Sequence, residues 1–272
     1  MSQPHPKFGT PMTASQYATE WKRSADAFSS AGHYAWMSEQ LGTAPHVIEI
    51  GCGSGTSTQA LATVGRRVLC IESNRPSVDA TLSHLAASGL NAEEIGLSDL
   101  SSLGSWTGSN VKIINIDAFS PELIFSLPPA SFDAVLCWMT GTHPEHIGQS
   151  LNISYLDFDG GEMARYRQKI QARSYELGLK ALKVEGLVQV VDRAAIRSWA
   201  QKDQMRVELA EMQRDLAGPD FNIAKGESFL RKMSDGLSQS NIQYVASVPN
   251  GFDGILVLTS TKARLASAAS DA

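Results

Sequence analysis

The sequence predicts an α/β fold, on three observations. An apolar run, Val47-Ile48-Glu49-Ile50, meets Gly51, Gly53 and Gly55 and then the hydroxyls of Thr56, Ser57 and Thr58, a pattern of strand, tight turn and helix start. Further apolar runs at 68–71, 111–118, 132–139 and 187–192 alternate with segments of helical period, as strands covered on both faces by crossover helices do. Two closing runs, 242–248 and 254–260, are separated by a short Pro249-Asn250-Gly251 turn segment, so they are expected to pair antiparallel.

A chain of 272 residues has room for one large domain with additions. The expected division is an N-terminal helical segment over 1–46, the α/β domain over 47–261 with a helical insertion at about 194–238, and a frayed tail over 262–272. No apolar run approaches the roughly 20 residues that span a bilayer, and residues 1–13 are polar and proline-containing, unlike a signal peptide. A cytoplasmic protein with no membrane partner is the expectation. The net charge of -5 gives no broad basic footprint, so nucleic acid is not an expected partner, while a homodimer is left open. Cys52, Cys70 and Cys137 fall in or beside the apolar runs without C-x-x-C spacing and read as reduced core residues.

Taken in order, residues 15–41 read as one or two helices bearing an aromatic stripe of Tyr17, Trp21, Phe28, Tyr34 and Trp36, a face suited to packing on the domain. The glycine loop could cradle a pyrophosphate, but that fingerprint is G-x-G-x-x-G and position 56 is threonine. Glu49 would also repel a pyrophosphate and suits a ligand carrying positive charge. A helix over 56–64 stops at Gly65, and the strand over 68–71 ends on Glu72. A carboxylate at the end of the second strand, about 20 residues past the glycine loop, is placed to accept hydrogen bonds from both ribose hydroxyls of an adenosine.

Pro76 starts a helix that Gly89 ends, and the polar segment 91–103 reads as a loop or broken helix. The strand over 111–118 terminates at Asp117, which is either a ligand contact or a cap for the helix after Pro121. After the strand at 132–139, His143 and His146 have metal-pair spacing only if their segment is helical; Pro144 and the lack of a third ligand argue against it, so no metal is expected. His143 first, then His146, are the candidates for a general base, the plain alternative being loop histidines in solvent. An acidic loop with Tyr155 follows, then a helix over 162–183, a turn at Gly186, the strand at 187–192, and helices over 194–216 and 226–237.

With Glu49 ahead of G-x-G-x-G at Gly51, Gly53 and Gly55, the sequence resembles the class I S-adenosylmethionine (SAM)-dependent methyltransferases. The resemblance runs from about Val47 to Ser260 and includes Glu72, Asp117 and the helix, glycine turn and strand around Gly186. It implies a doubly wound, mostly parallel sheet of about seven strands with an antiparallel last strand, and SAM as cofactor. It also implies roles: Glu49 at the methionine end, Gly51, Cys52, Gly53, Gly55 and Thr56 around the cofactor, Glu72 and Ser73 at the ribose, Asp117, Ala118 and Phe119 at the adenine. Trp138 and Met139 would line the pocket near the methyl, with Tyr17, Trp21 and Tyr34 as a lid and Tyr155 on the substrate side. Cys137-Trp138-Met139-Thr140 departs from the acidic or amide, Pro-Pro, aromatic pattern of exocyclic-amine methylation, and Cys137 lacks the Pro-Cys setting of cytosine C5 chemistry. The expected activity is therefore methyl transfer to an oxygen or nitrogen of a small molecule. The alternatives are an RNA or protein side-chain methyltransferase, or a non-catalytic SAM- or nucleotide-binding subunit.

Overall fold

The computed structural model describes residues 13–154, 157–158, 161–233 and 254–267. Helix α1 (Ala14–Ser30) begins on a capping box, in which Thr13 and Gln16 bond each other's backbone N–H, and Gly32 in the left-handed region turns the chain into α2 (His33–Glu39). The sheet then builds through β1 (His46–Ile50), α3 (Thr56–Thr63), β2 (Arg67–Glu72), α4 (Arg75–Ala87), β3 (Ala92–Glu94), β4 (Val111–Asn115), α5 (Pro121–Ser126) and β5 (Phe132–Trp138). It continues with α6 (Pro144–Leu151), α7 (Gly161–Ala181), β6 (Leu182–Ile196), α8 (Lys202–Ala217), β7 (Phe221–Asn222), β8 (Ser228–Lys232) and β9 (Ile255–Leu265).

Strand order is β3-β4-β2-β1-β5-β6-β9-β7, with β8 also paired to β9. The pairs from β3 to β6 are parallel, and β9 runs antiparallel to β6 through ten residue pairs from Leu187↔Arg264 to Ile196↔Ile255. The chain winds outward from β1 to one edge, returns at β5 and winds the other way. The carboxyl ends of β1 and β5 thus mark the switch point, where ligands of doubly wound sheets sit. Alternating side chains of the buried strands feed two apolar layers. Ile48, Ile50, Val135 and Val188 pack with Tyr166, Ile170 and Leu177 of α7 on one face; Val47, Val68 and Leu136 pack with Phe28, Met37, Leu61 and Val78 of α1 to α4 on the other.

The doubly wound fold matches expectation, and several details do not. The segment 91–103 contains β3 and the start of a 3-10 helix, Leu97–Ser105. β3 carries Glu93 and Glu94, and an edge strand of charged residues has no apolar signature. The turn before 187 is carried by Glu185, at φ +63°, while Gly186 is required for closeness: a Cβ there would lie 2.8 Å from the Lys183 carbonyl oxygen. The helix expected from 194 starts at Lys202, because β6 runs on to Ile196 and its ladder with β9 outweighs the helical period of the side chains. Of the helix expected over 226–237, the described part, to 233, is instead a short 3-10 turn followed by β8, and 234–237 lie outside the described residues. Pairing to β9 on both sides gives the described residues nine strands rather than seven. The tail does not fray at 262: Lys262 lies within β9, nearly buried, with Nζ 2.7 Å from Glu227. The strand expected at 242–248 lies outside the described residues.

Candidate functional site

Gly51, Gly53 and Gly55 all adopt the left-handed region, at φ +77°, +57° and +83°, so the loop after β1 is one that L-residues would strain to form. Three side chains hold it. Thr81 of α4 donates to the Gly53 carbonyl at 3.0 Å and packs against Gly55; Thr140, after β5, donates to the Ile50 carbonyl at 3.1 Å. Glu72, at the end of β2, accepts from the Gly53 N–H at 3.0 Å and from the Asn74 N–H at 2.8 Å. Burial raises the Glu72 carboxyl above the usual range, and those N–H groups oppose the shift.

Glu49 does not face the crevice as expected. Its carboxylate accepts from Ser57 and, at 2.6 Å, from Thr58, and it is essentially fully buried. It therefore pins the first turn of α3 beneath the loop, with burial raising its pKa. Cys52 is a buried core thiol 3.5 Å from the Thr81 hydroxyl, and Thr56 is buried with its hydroxyl 3.0 Å from Ser54. Ser73 is exposed next to Glu72. Burial pushes the Cys137 thiol up to about 12, far from a nucleophile's range.

At the end of β4, Asp117 accepts from the Phe119 N–H at 2.9 Å and lies 3.5 Å from His146 Nε2. Arg173 of α7 fixes this corner by donating to the carbonyls of Ala118, at 2.7 Å, and Ser120, at 3.0 Å. Lys169 stands over the Phe119 ring. His146 thus belongs to the Asp117 corner rather than to the end of β5. The segment holding both histidines is helical from Pro144, which takes the favoured first-turn position, contrary to the expectation of a non-helical loop. Among the described residues no group of three or more His, Cys, Asp and Glu could hold a metal.

His143 caps α6: its Nδ1 accepts from the Glu145 N–H at 3.3 Å. The Nδ1 lone pair is thus directed at the start of α6, a capping role that the general-base expectation did not include. Trp138 and Met139 are buried core residues instead of pocket walls. The Trp138 Nε1–H donates to Gln189 at 2.9 Å, and Gln189 in turn donates to the Met37 carbonyl and Ser260. Tyr34 is also core, packed on Phe28. Trp21 does reach the glycine loop, lying against Gly53, and Tyr17, stacked on Trp21, lines the same crevice beside Gly141. Tyr155 lies outside the described residues.

The structure therefore brings together Tyr17, Trp21, Gly51, Gly53 and Glu72, and adds Asn74, Ser77, Gly141 and Thr142 as walls of the same crevice. Neither Ser77 nor Thr142 stands in a pattern a sequence could flag. Thr81, 28 residues from the glycine it bonds, offers no signal either. Gly141, directly after strand β5 and Thr140, was the one signal available.

Fold and crevice together define a Rossmann-like α/β protein with a crevice at the switch point of its sheet and an antiparallel strand, β9, beside β6. No family model matches the chain. A curated relative, the tRNA/tmRNA (uracil-C(5))-methyltransferase of Ectopseudomonas mendocina (strain ymp), is 43% identical over 61 residues, 22% of this chain. That match spans 17% of the relative's length. Among solved structures, the YcgJ protein of Bacillus subtilis is similar at a TM-score of 0.49 and 11% identity, covering 86% of this chain and 98% of that one. The N-methyltransferase NodS of Bradyrhizobium japonicum WM9, in complex with S-adenosyl-L-homocysteine (SAH), is similar at 0.43 and 13%, covering 85% and 83%. A SAM-dependent methyltransferase of Methanosarcina mazei is similar at 0.44 and 15%, covering 81% and 92%.

Proposed function

We propose that this chain is a SAM-dependent methyltransferase acting on an oxygen or nitrogen of a small molecule. One observation carries the proposal: a buried carboxylate at the end of β2, Glu72, is bonded to the backbone N–H of the middle glycine of the loop after β1. An acid for a ribose and a loop that admits a ligand close to its backbone are thereby parts of one crevice, with Asp117 at the next strand end for an adenine amine. SAM supplies an activated sulfonium methyl group when bound. Glu72 would accept the ribose hydroxyls, the three glycines would permit close approach, and Asp117 would accept from the adenine. Because the sulfonium is already a good leaving group, the protein's main contribution to transfer is alignment of the nucleophile in line with the methyl. The net charge of -5, with no broad basic face, supports a small acceptor over a nucleic acid.

The test is calorimetric titration of the wild-type protein and Glu72→Ala with SAM and SAH. Saturable binding is expected, weakened at least tenfold by the substitution; failure of both the wild-type protein and Trp21→Ala to bind either ligand would end the proposal. Incubation with SAM and a panel of phenols, amines and carboxylic acids, read as a gain of one methyl mass, then identifies the acceptor.

A further inference from the structure

The N-terminal half of α1 sits in the crevice rather than beside it. A Cβ added at Gly53 would lie 2.7 Å from both Cδ1 and Nε1 of Trp21, so the indole rests on the glycine backbone itself. Trp21 also packs near Gly141, and Tyr17 beside it is edge-on to His143 at 5.9 Å. The space left between these rings, Gly51, Glu72 and Thr142 is about 20 Å³. Small-molecule sites generally need about 300–1,000 Å³. An adenosyl cofactor and the Trp21 indole therefore compete for one volume.

The way α1 is anchored shows what can move. Its buried residues are Ser24, Ala25 and Phe28, all in the second half. Residues 14–23 have no buried side chain; what ties them down includes Tyr17, Trp21 and a 3.4 Å bond from Asn74 Nδ2 to the Ala14 carbonyl. Asn74 is itself a wall of the crevice, directly after Glu72 and Ser73. Displacing the indole thus opens the crevice and leaves the core anchor at Phe28 in place.

We propose that Trp21 is a plug: the docked N-terminal half of α1 occupies the cofactor's place, and adenosyl-ligand binding requires it to swing out about the Ser24–Phe28 anchor. This rests on the methyltransferase proposal for the ligand's identity. It differs from a lid that folds over a bound cofactor, because a plug opposes binding and a lid supports it. The two predict opposite signs for one substitution.

The experiment is calorimetric titration with SAH of the wild-type protein, Trp21→Ala and Trp21→Phe, with far-ultraviolet circular dichroism to confirm folding. A plug predicts that Trp21→Ala binds SAH at least fivefold more tightly than wild type, with Trp21→Phe between them. It also predicts that the wild-type tryptophan emission shifts to the red on SAH addition, a shift missing from Trp21→Ala. Weaker or unchanged affinity in Trp21→Ala overturns the plug while leaving the methyltransferase proposal intact. If neither wild type nor Trp21→Ala binds SAH or SAM, the methyltransferase proposal itself fails, and the plug for that ligand with it.

Discussion

Gly55 and Gly65 offer a matched pair for weighing what the glycine loop requires. Both are left-handed, at φ +83° and +85°, and so an alanine at either position meets the same backbone strain, roughly 1–2 kcal/mol. Their surroundings differ. Among the described residues a Cβ at Gly65 meets nothing within 4 Å, whereas at Gly55 it would lie 3.0 Å from Thr81 Cα, 3.0 Å from its Cγ2 and 3.3 Å from its Cβ. The Thr81 backbone belongs to α4 and cannot rotate away, and its hydroxyl is bonded to the Gly53 carbonyl. Crowding of this kind in packed interiors costs about 1–3 kcal/mol beyond strain. Gly65→Ala should therefore lose about 1–2 kcal/mol and Gly55→Ala about 2–5 kcal/mol of unfolding free energy, measured by urea denaturation with unchanged slope. Equal losses in the two variants would refute the argument that contact with α4, and not only backbone conformation, selects glycine at position 55.

Three further outcomes follow from other parts of the molecule. Gln189→Leu removes the amide that joins Trp138, Met37 and Ser260 in the core, leaving the Trp138 N–H and Met37 carbonyl unpartnered, and should cost about 2–4 kcal/mol in the same assay. His33 is buried with neither ring nitrogen partnered among the described residues, and burial, then Arg231, lowers its pKa. A depressed folded pKa means the unfolded chain takes up the proton first, so the stability is complete above about pH 6.5 and is lost as pH falls from there through the folded value. His33→Phe should flatten the melting temperature between about pH 6.5 and 5 relative to wild type; an identical slope would exclude His33 as a source of acid sensitivity. Glu49→Ala should destabilise the start of α3 by about 2–4 kcal/mol, because Ser57 and Thr58 lose their acceptor, and a loss below 1 kcal/mol would contradict the pinning role.

The parallel half of the sheet was legible because strands buried on both faces announce themselves as continuous apolar runs, and Gly65 and Gly89 punctuate the helices between them. Glu72 was legible from its distance to the glycine loop. Glu49 was not: the motif places an acid there, but whether its carboxylate turns to a ligand or to Ser57 and Thr58 depends on which side of β1 the helix α3 begins. Trp138 failed for a related reason. In a strand one residue decides between faces, and Trp138 falls on the side that Gln189 and Met37 occupy. The far side of β9 was misread as helical because β8, Ser228–Lys232, mixes charged and apolar residues with no clean period, and only pairing to β9 makes it a strand. The histidine pair shows the limit of local rules, since Pro144 starts α6 instead of preventing it.

The position of β9 between β6 and β7 sets an order of events during synthesis. β6 is complete at Ile196, yet its ladder is not filled until Arg264 has been added, 68 residues later. At about 5–20 residues per second the ribosome needs roughly 3–14 s for that interval. Throughout it the nascent sheet has an open edge of Val188, Val190 and Val191 beside already paired β5, long enough to template another chain. The half of the molecule that carries the glycine loop, Glu72 and Asp117 has all its strands by Trp138, so the crevice is written early and its stabilising flank arrives last.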